Sequence, residues 1–334
     1  FIRGKAEGKT VLLRADCDAL PVLEKENLNG TRCVWSKNEG VMHACGHDAH
    51  TAALLGAAKV LLDRKEEING TVILCFERGE EGSGNVKYIF AYLEKNGYHI
   101  DSCFGMHTHL PLGTGKVAVN DTNACAGAFG FEITIEGRGG HGSRPDMAAN
   151  PMYCGANFLN NLSVAFTNQI TAGETVTLGM AQFQCGEAPN VIADTAYLAG
   201  SMRFFNQAEG QKAKEIFKTV AEHTAAMYKC TAEIQEAEVG IPVVNDAAYS
   251  AQATKALNDI LPAGTVVECE PWYASESFSQ WLARWPGVFA FLGLKNEEHG
   301  FGALHHNEKF DFDEKILPIG ATATVRYVAE LLGK

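Results

Sequence analysis

Short apolar runs and helix-patterned segments alternate along the first hundred or so residues, give way to a different order, and resume after about residue 236. The early runs are VLLRAD at 11–16, a helix beginning near Thr51, TVILCF at 71–76, a helix around 83–95 and SCFGMH. That rhythm predicts an α/β domain with a mainly parallel sheet covered by helices. In TAALLGAAKVLLDRK, Leu54, Leu55, Ala58, Leu61 and Leu62 make a core-facing stripe, and Asp48, His50 or Thr51 is placed to cap it. The middle segments are strand FEITIEG, a helix near 151–165, strands TVTLGMAQF and TAYLAGSMRFF, a helix near 208–228 and strand TAEIQEAEV. This β-α-β-β-α-β order predicts a ferredoxin-like α+β lobe inserted at 122–235. The α/β pattern then returns, with a helix near 277–284, strand VFAFLGL and a last helix from about Leu317, so 1–121 and 236–334 form one discontinuous domain.

Composition narrows the function classes. The formal charge of -12 is spread without a basic stripe, which argues against nucleic acid as a partner. No apolar run approaches the roughly 20 residues of a membrane span. The ten cysteines are scattered without a Cys-x-x-Cys pair, a usage that fits a reducing, cytoplasmic setting.

Residues able to bind metal recur at the ends of the predicted buried strands, where open α/β sheets place their sites: Asp16 and Asp18, Glu80 and Glu81, His107. The densest group is MHACGHDAH at 42–50, a thiol and three imidazoles in nine residues. Cys45 and His47, two apart in an extended segment, point the same way and can share a cation; the plain alternative is a buried Cys beside surface histidines. In FERGEEG, one carboxylate can ligate metal while its neighbour takes a proton from an activated water; the plain alternative is a solvated turn. His305 and His306 offer late ligands, although tandem histidines also occur on plain surfaces.

LLRADCDALP, HACGHDAHTAALLGAAKVL, the EEGSG turn, GMH, GGHGSRPD, APNVIAD and HHNEKFDFDE, in that order over nearly the whole chain, resemble a family of amidohydrolases. It includes hippurate hydrolases, N-acyl-amino-acid aminoacylases and auxin-conjugate hydrolases. The resemblance implies a zinc-peptidase-like catalytic domain with an inserted lid that also mediates dimerisation. It implies two divalent metal ions held by Cys45, His47, Glu81, His107 and His306, with manganese or zinc expected and cobalt or nickel permitted by the donor types. In the family this sequence resembles, the metal His lies four residues before an aromatic, here Phe310, which implies His306 rather than His305, and His109 is similarly the lesser rival of His107. Glu80 is then the general base, Asp18 orients a metal ligand, and His141 steadies the oxyanion. Asn190 and Arg203 hold the substrate's carbonyl and terminal carboxylate, the lobe closing over the substrate.

The implied reaction is hydrolysis of the amide bond of N-acyl amino acids by a cytoplasmic homodimer. Alternatives are a dipeptidase or carboxypeptidase with the same chemistry, or a silent conjugate-binding protein, which would have no use for Glu80. A structural zinc site is a further alternative, although it would favour paired cysteines. The chain departs from the family pattern at Ala193, where Pro is usual, at Ser277, where Asp is usual beside Glu276, and in GMHTHLPLG after the metal His. Relatives also carry a further segment before the LRAD strand, so an N-terminal part is expected to be missing.

Overall fold

In the computed structural model, which describes residues 1–82 and 84–333, Val11, Leu12 and Leu13 lose all their exposure. The reason is their place in the sheet. The strand Ala6–Asp16 pairs in parallel with Asn69–Glu77 on one side and Ser102–Gly113 on the other. A strand flanked on both edges and covered on both faces has no solvent side, so its sequence is a continuous apolar run.

The full sheet has seven strands in the order Ile2–Arg3, Asn69–Glu77, Ala6–Asp16, Ser102–Gly113, Gly287–Lys295, Val117–Ala118, Val266–Val267. The four long strands are mutually parallel, and Ile2–Arg3 and Val117–Ala118 run antiparallel to their long neighbours. The chain forms two compact units, and this sheet belongs to the one comprising 1–124, 243–271 and 277–334.

Helix His47–Asp63 packs on the C-terminal helix Ile316–Leu332. Small residues permit the approach: a Cβ at Gly320 would come within 3.1 Å of Ala53, and one at Gly56 within 3.3 Å of Ala321. The first helix starts four residues earlier than the Thr51 expected from its stripe. Its N-cap is Gly46, with no side-chain cap, in place of Asp48, His50 or Thr51. The helix expected near 277–284 shrinks to Ser279–Leu282, and the one around 83–95 begins at Val86. Helix Ala247–Asn258 was not anticipated. Its buried face is Ser250, Ala253, Ala256 and Leu257, too small and polar to give an apolar stripe, although Asp246 caps it by accepting the Ala248 and Tyr249 N–H groups.

The second unit comprises 125–242 and 272–276. Its four-stranded antiparallel sheet runs in the order Thr231–Glu236, Gly127–Glu136, Thr195–Phe204, Val176–Cys185. Helices Pro151–Gln169 and Gln207–Met227 complete a β-α-β-β-α-β connection. Alternation selects the covered face: Phe129, Phe131, Ile133 and Ile135 are buried, and Phe217 from the second helix packs with its ring tilted against Phe131, centroids 4.4 Å apart. Both helices have Asn caps: Asn150 accepts the Met152 N–H, and Asn206 accepts those of Ala208 and Glu209.

Candidate metal centre and active site

The larger unit brings its polar residues together at the carboxyl ends of the parallel strands. Asp16 and Glu77 are the last residues of their strands, and Asp18, Glu80 and Glu81 lie in the turns that follow. His107 was expected just past a strand end and instead lies inside Ser102–Gly113, which continues alongside Gly287–Lys295. Pairing with Ala6–Asp16 stops at Gly105, opposite Arg14. His107 therefore stands beyond the reach of that neighbour.

Cys45 and His47 do not share an extended segment. Gly46 between them is left-handed, with φ 81°, and His47 opens the helix. A Cβ at position 46 would come within 2.5 Å of Thr108 Oγ1. Glycine is required twice over, by conformation and by space. The resulting turn, rather than strand alternation, sets the directions of the thiol and the imidazole.

Hydrogen bonds assign the histidine protons. His107 Nδ1 donates to the Thr108 carbonyl at 2.6 Å, leaving Nε2 toward Cys45 Sγ at 3.6 Å. His47 Nδ1 lies 3.1 Å from Asp18 Oδ1, and its Nε2 is 3.8 Å from Glu81 Oε1. Both rings thus turn Nε2 toward the same space, the orientation that a carboxylate or carbonyl on the far nitrogen enforces in metal sites. His50 is different. Its Nε2 accepts the Thr108 N–H at 2.8 Å while Nδ1 donates to Asp16 Oδ1, so neither nitrogen is available as a ligand. Burial also lowers its pKa, consistent with a neutral ring.

The tandem histidines diverge. His306 Nε2 is 3.2 Å from Glu81 Oε1, whereas His305 turns toward Thr108 Oγ1 at 3.4 Å and packs on Phe310, its pKa pushed down to about 3 by burial. His306 has φ 65°, in the left-handed region that residues other than glycine seldom adopt, held there by its N–H bond to the Ala44 carbonyl at 2.7 Å. His109 stacks on Phe291 at 4.5 Å and is buried, with its pKa lowered to about 4.

Cys45, Glu81 and His306 offer ligand atoms within 4.8 Å of one another, as do His47, Glu80 and Glu81. Glu81 belongs to both groups. Its Oε1 is buried without a hydrogen bond, and burial beside Glu81 and other carboxylates pushes the Cys45 thiol far above its usual range. A buried carboxylate oxygen approached by two imidazole nitrogens without a well-formed hydrogen bond, beside a thiol among carboxylates, marks a place for cations. The donor set of thiolate, imidazole and carboxylate fits divalent transition metals. Asp16, His47, His50 and His107 form another close group, in which the engagement of both His50 nitrogens makes His50 a support and leaves His47 and His107 as the ligand candidates.

A profile of the peptidase family M20/M25/M40 matches residues 12–330. The chain belongs to that family. It is 35% identical over 325 residues, 96% of this chain and 80% of the relative, to a thermostable carboxypeptidase of Saccharolobus solfataricus. It is 33% identical over 338 residues, 98% of this chain and 75% of the relative, to an IAA-amino acid hydrolase of Arabidopsis thaliana. A Bacillus subtilis structure described as a dinuclear metal binding peptidase of the M20 family superposes with a TM-score of 0.81 at 28% identity, covering 99% of this chain and 83% of that one. The present M20 chain is a metal-dependent amidohydrolase, and its centre has the donors for two metal ions.

Behind the M20 centre lies a buried network that sequence reading missed. The Arg14 guanidinium bonds Asp16 Oδ2 and Glu77 Oε2, each at 2.9 Å, and Ser277 Oγ at 2.8 Å. Burial would raise the Asp16 pKa, but Arg14, His50 and His47 overcome it and hold the carboxyl well below its usual range. Glu80 goes the other way, pushed up to about 7 chiefly by burial, despite Arg14 and the Ser277 N–H. The available signal was Arg14 itself, a charge inside an otherwise apolar strand, which is rarely buried unless paired.

His141, Asn190 and Arg203 belong to the second unit. Gly140–His141 pairs antiparallel with Val191–Ile192, and the Gly142 N–H donates to the Asn190 carbonyl at 2.9 Å. His141 Nδ1 accepts the Ser143 N–H at 3.1 Å, which puts the ring proton on Nε2. Arg203 lies on Thr195–Phe204 on the face away from the helices, with its pKa lowered by burial.

Proposed function

We propose that this M20 enzyme hydrolyses the amide bond of N-acyl amino acids, releasing a carboxylic acid and the free amino acid. The observation that carries the reading is the sharing of Glu81 by two ligand groups with Glu80 beside it. Cys45, His47, Glu81, His107 and His306 hold two divalent ions, manganese or zinc in the first instance and cobalt or nickel as alternatives. Bound there, such ions lower the pKa of a water and polarise a carbonyl oxygen.

The chain's own residues supply the rest. Glu80 Oε1 accepts the Ser277 N–H at 3.1 Å, which leaves Oε2 to take the proton of the attacking water and pass it to the departing nitrogen. Asp18 keeps His47 in the tautomer that presents Nε2. In the second unit, the His141 Nε2–H is a donor of the kind an oxyanion needs, and Arg203 has the fork for a terminal carboxylate, with Asn190 assigned to the substrate carbonyl.

The relative named a carboxypeptidase supports a second reading, cleavage of small peptides by the same chemistry. Amino-acid release from N-acetyl, N-benzoyl and indole-acyl amino acids and from dipeptides, with manganese or zinc and with chelator, separates the two. Acyl conjugates turned over faster than dipeptides support the first; a requirement for a free α-amino group overturns it. The strand Val176–Cys185 is a sheet edge with exposed Phe183, which supports a homodimer through the second unit; sedimentation as a monomer overturns that part. A cytoplasmic setting completes the proposal.

A further inference from the structure

We propose that Ser277 is a positioning residue for catalysis, holding the Glu80 carboxylate in place through a buried lattice with Arg14 and Glu77. The inference rests on Glu80 being the general base. Glu80 sits in a turn between Gly79 and Gly82, both at positive φ, so its backbone has little regular structure to orient the side chain. What the carboxylate meets is the Ser277 N–H, at 3.1 Å from Oε1. A base that must receive a proton on one oxygen and hand it to a second atom gains from having the other oxygen held.

Ser277 is itself pinned. Its hydroxyl donates to Glu77 Oε1 at 2.7 Å and accepts from the Arg14 guanidinium at 2.8 Å, acting as donor and acceptor at once. Glu77 is fixed in turn by Arg14 Nε and Trp281 Nε1, each 2.9 Å from Oε2. Arg14, Glu77 and Trp281 are all buried, and a fully satisfied polar network in a low-dielectric interior is rigid. The same guanidinium also bonds Asp16, whose other oxygen takes the His50 proton. One cation thus braces both the strand end carrying the histidine layer and the segment that holds the base. Loss of the Ser277 hydroxyl would leave Glu77 Oε1 and the Arg14 donor without this partner and let the 277 backbone drift. A shift of about 1 Å at a proton-transfer group costs on the order of 100-fold in rate.

The test is a double-mutant cycle on the metal-loaded full chain, using the N-acyl amino acid turned over fastest in the panel above, radiolabelled so that slow variants are measurable. Ser277→Ala is expected to lower kcat about 10- to 100-fold, with KM within about twofold and metal content and circular dichroism unchanged. In a Glu80→Gln background the same substitution is expected to cost nothing further, because its effect passes through the base. A normal kcat in Ser277→Ala, or a loss that multiplies in the Glu80→Gln background, overturns the inference. Retention of full kcat by Glu80→Gln alone instead removes the general-base reading, so the two failures are distinguishable.

Discussion

The Asp18 carboxylate stands 3.1 Å from His47 Nδ1, close enough to fix both the tautomer and the tilt of that ring. Its second oxygen accepts the Glu81 N–H at 3.0 Å, so one side chain braces two of the residues assigned to metal. Asp18→Ala is expected to weaken metal binding about 10- to 100-fold, the usual cost of losing such a support. Competition with a fluorescent chelator measures it, and wild-type affinity in the variant would sink the assignment.

Gly46 makes a prediction of a different kind. An alanine there must adopt φ 81° and push its Cβ to 2.5 Å from Thr108 Oγ1. Gly46→Ala is expected to destabilise the protein by about 1–3 kcal/mol and to weaken metal binding, since Cys45 and His47 flank the turn. Urea unfolding with a parallel metal assay reads both; unchanged stability would mean that the turn relaxes freely.

Chelation is expected to abolish turnover while the far-ultraviolet circular dichroism stays native. The core around Val11, Leu13, Phe104 and Val288 is buried independently of the polar residues at the strand ends. The melting temperature should fall, because a ligand bound only to the folded state stabilises it by mass action. Unfolding on metal removal would instead favour a structural site.

Loss of Arg14 is expected to destabilise the fold. Arg14→Met leaves Asp16 and Glu77 buried with their shared cation gone. Breaking one side of a buried ion pair costs about 3–5 kcal/mol. Chemical denaturation measures the change; a loss under about 1 kcal/mol would indicate that the network is hydrated or rearranges.

Much of the fold was legible because its signals are local. The period-2 pattern of Phe129, Phe131, Ile133 and Ile135, and the unbroken apolar run before Asp16, each announce how many faces of a strand are covered. Helix Ala247–Asn258 escaped because its buried face is made of small residues, and the start of the first helix was misplaced because Gly46 terminates nothing visible in a hydrophobicity pattern.

Residue types along the chain are enough to name the inventory of the centre, a thiol, imidazoles and adjacent carboxylates near strand ends, and to reveal the family whose motif order they follow. Which of two neighbouring histidines faces the carboxylate was decided by tertiary structure. His306 turns to Glu81 because a left-handed backbone and the Ala44 carbonyl hold it there, while His305 is drawn to Thr108. The same holds for Arg14, Glu77 and Ser277, which are 63 and 263 positions from their partners along the chain. Ligand chemistry is a property of residue type, readable one position at a time. Proton placement and carboxylate orientation depend on hydrogen bonds between distant segments, which exist only once the sheet has set its register.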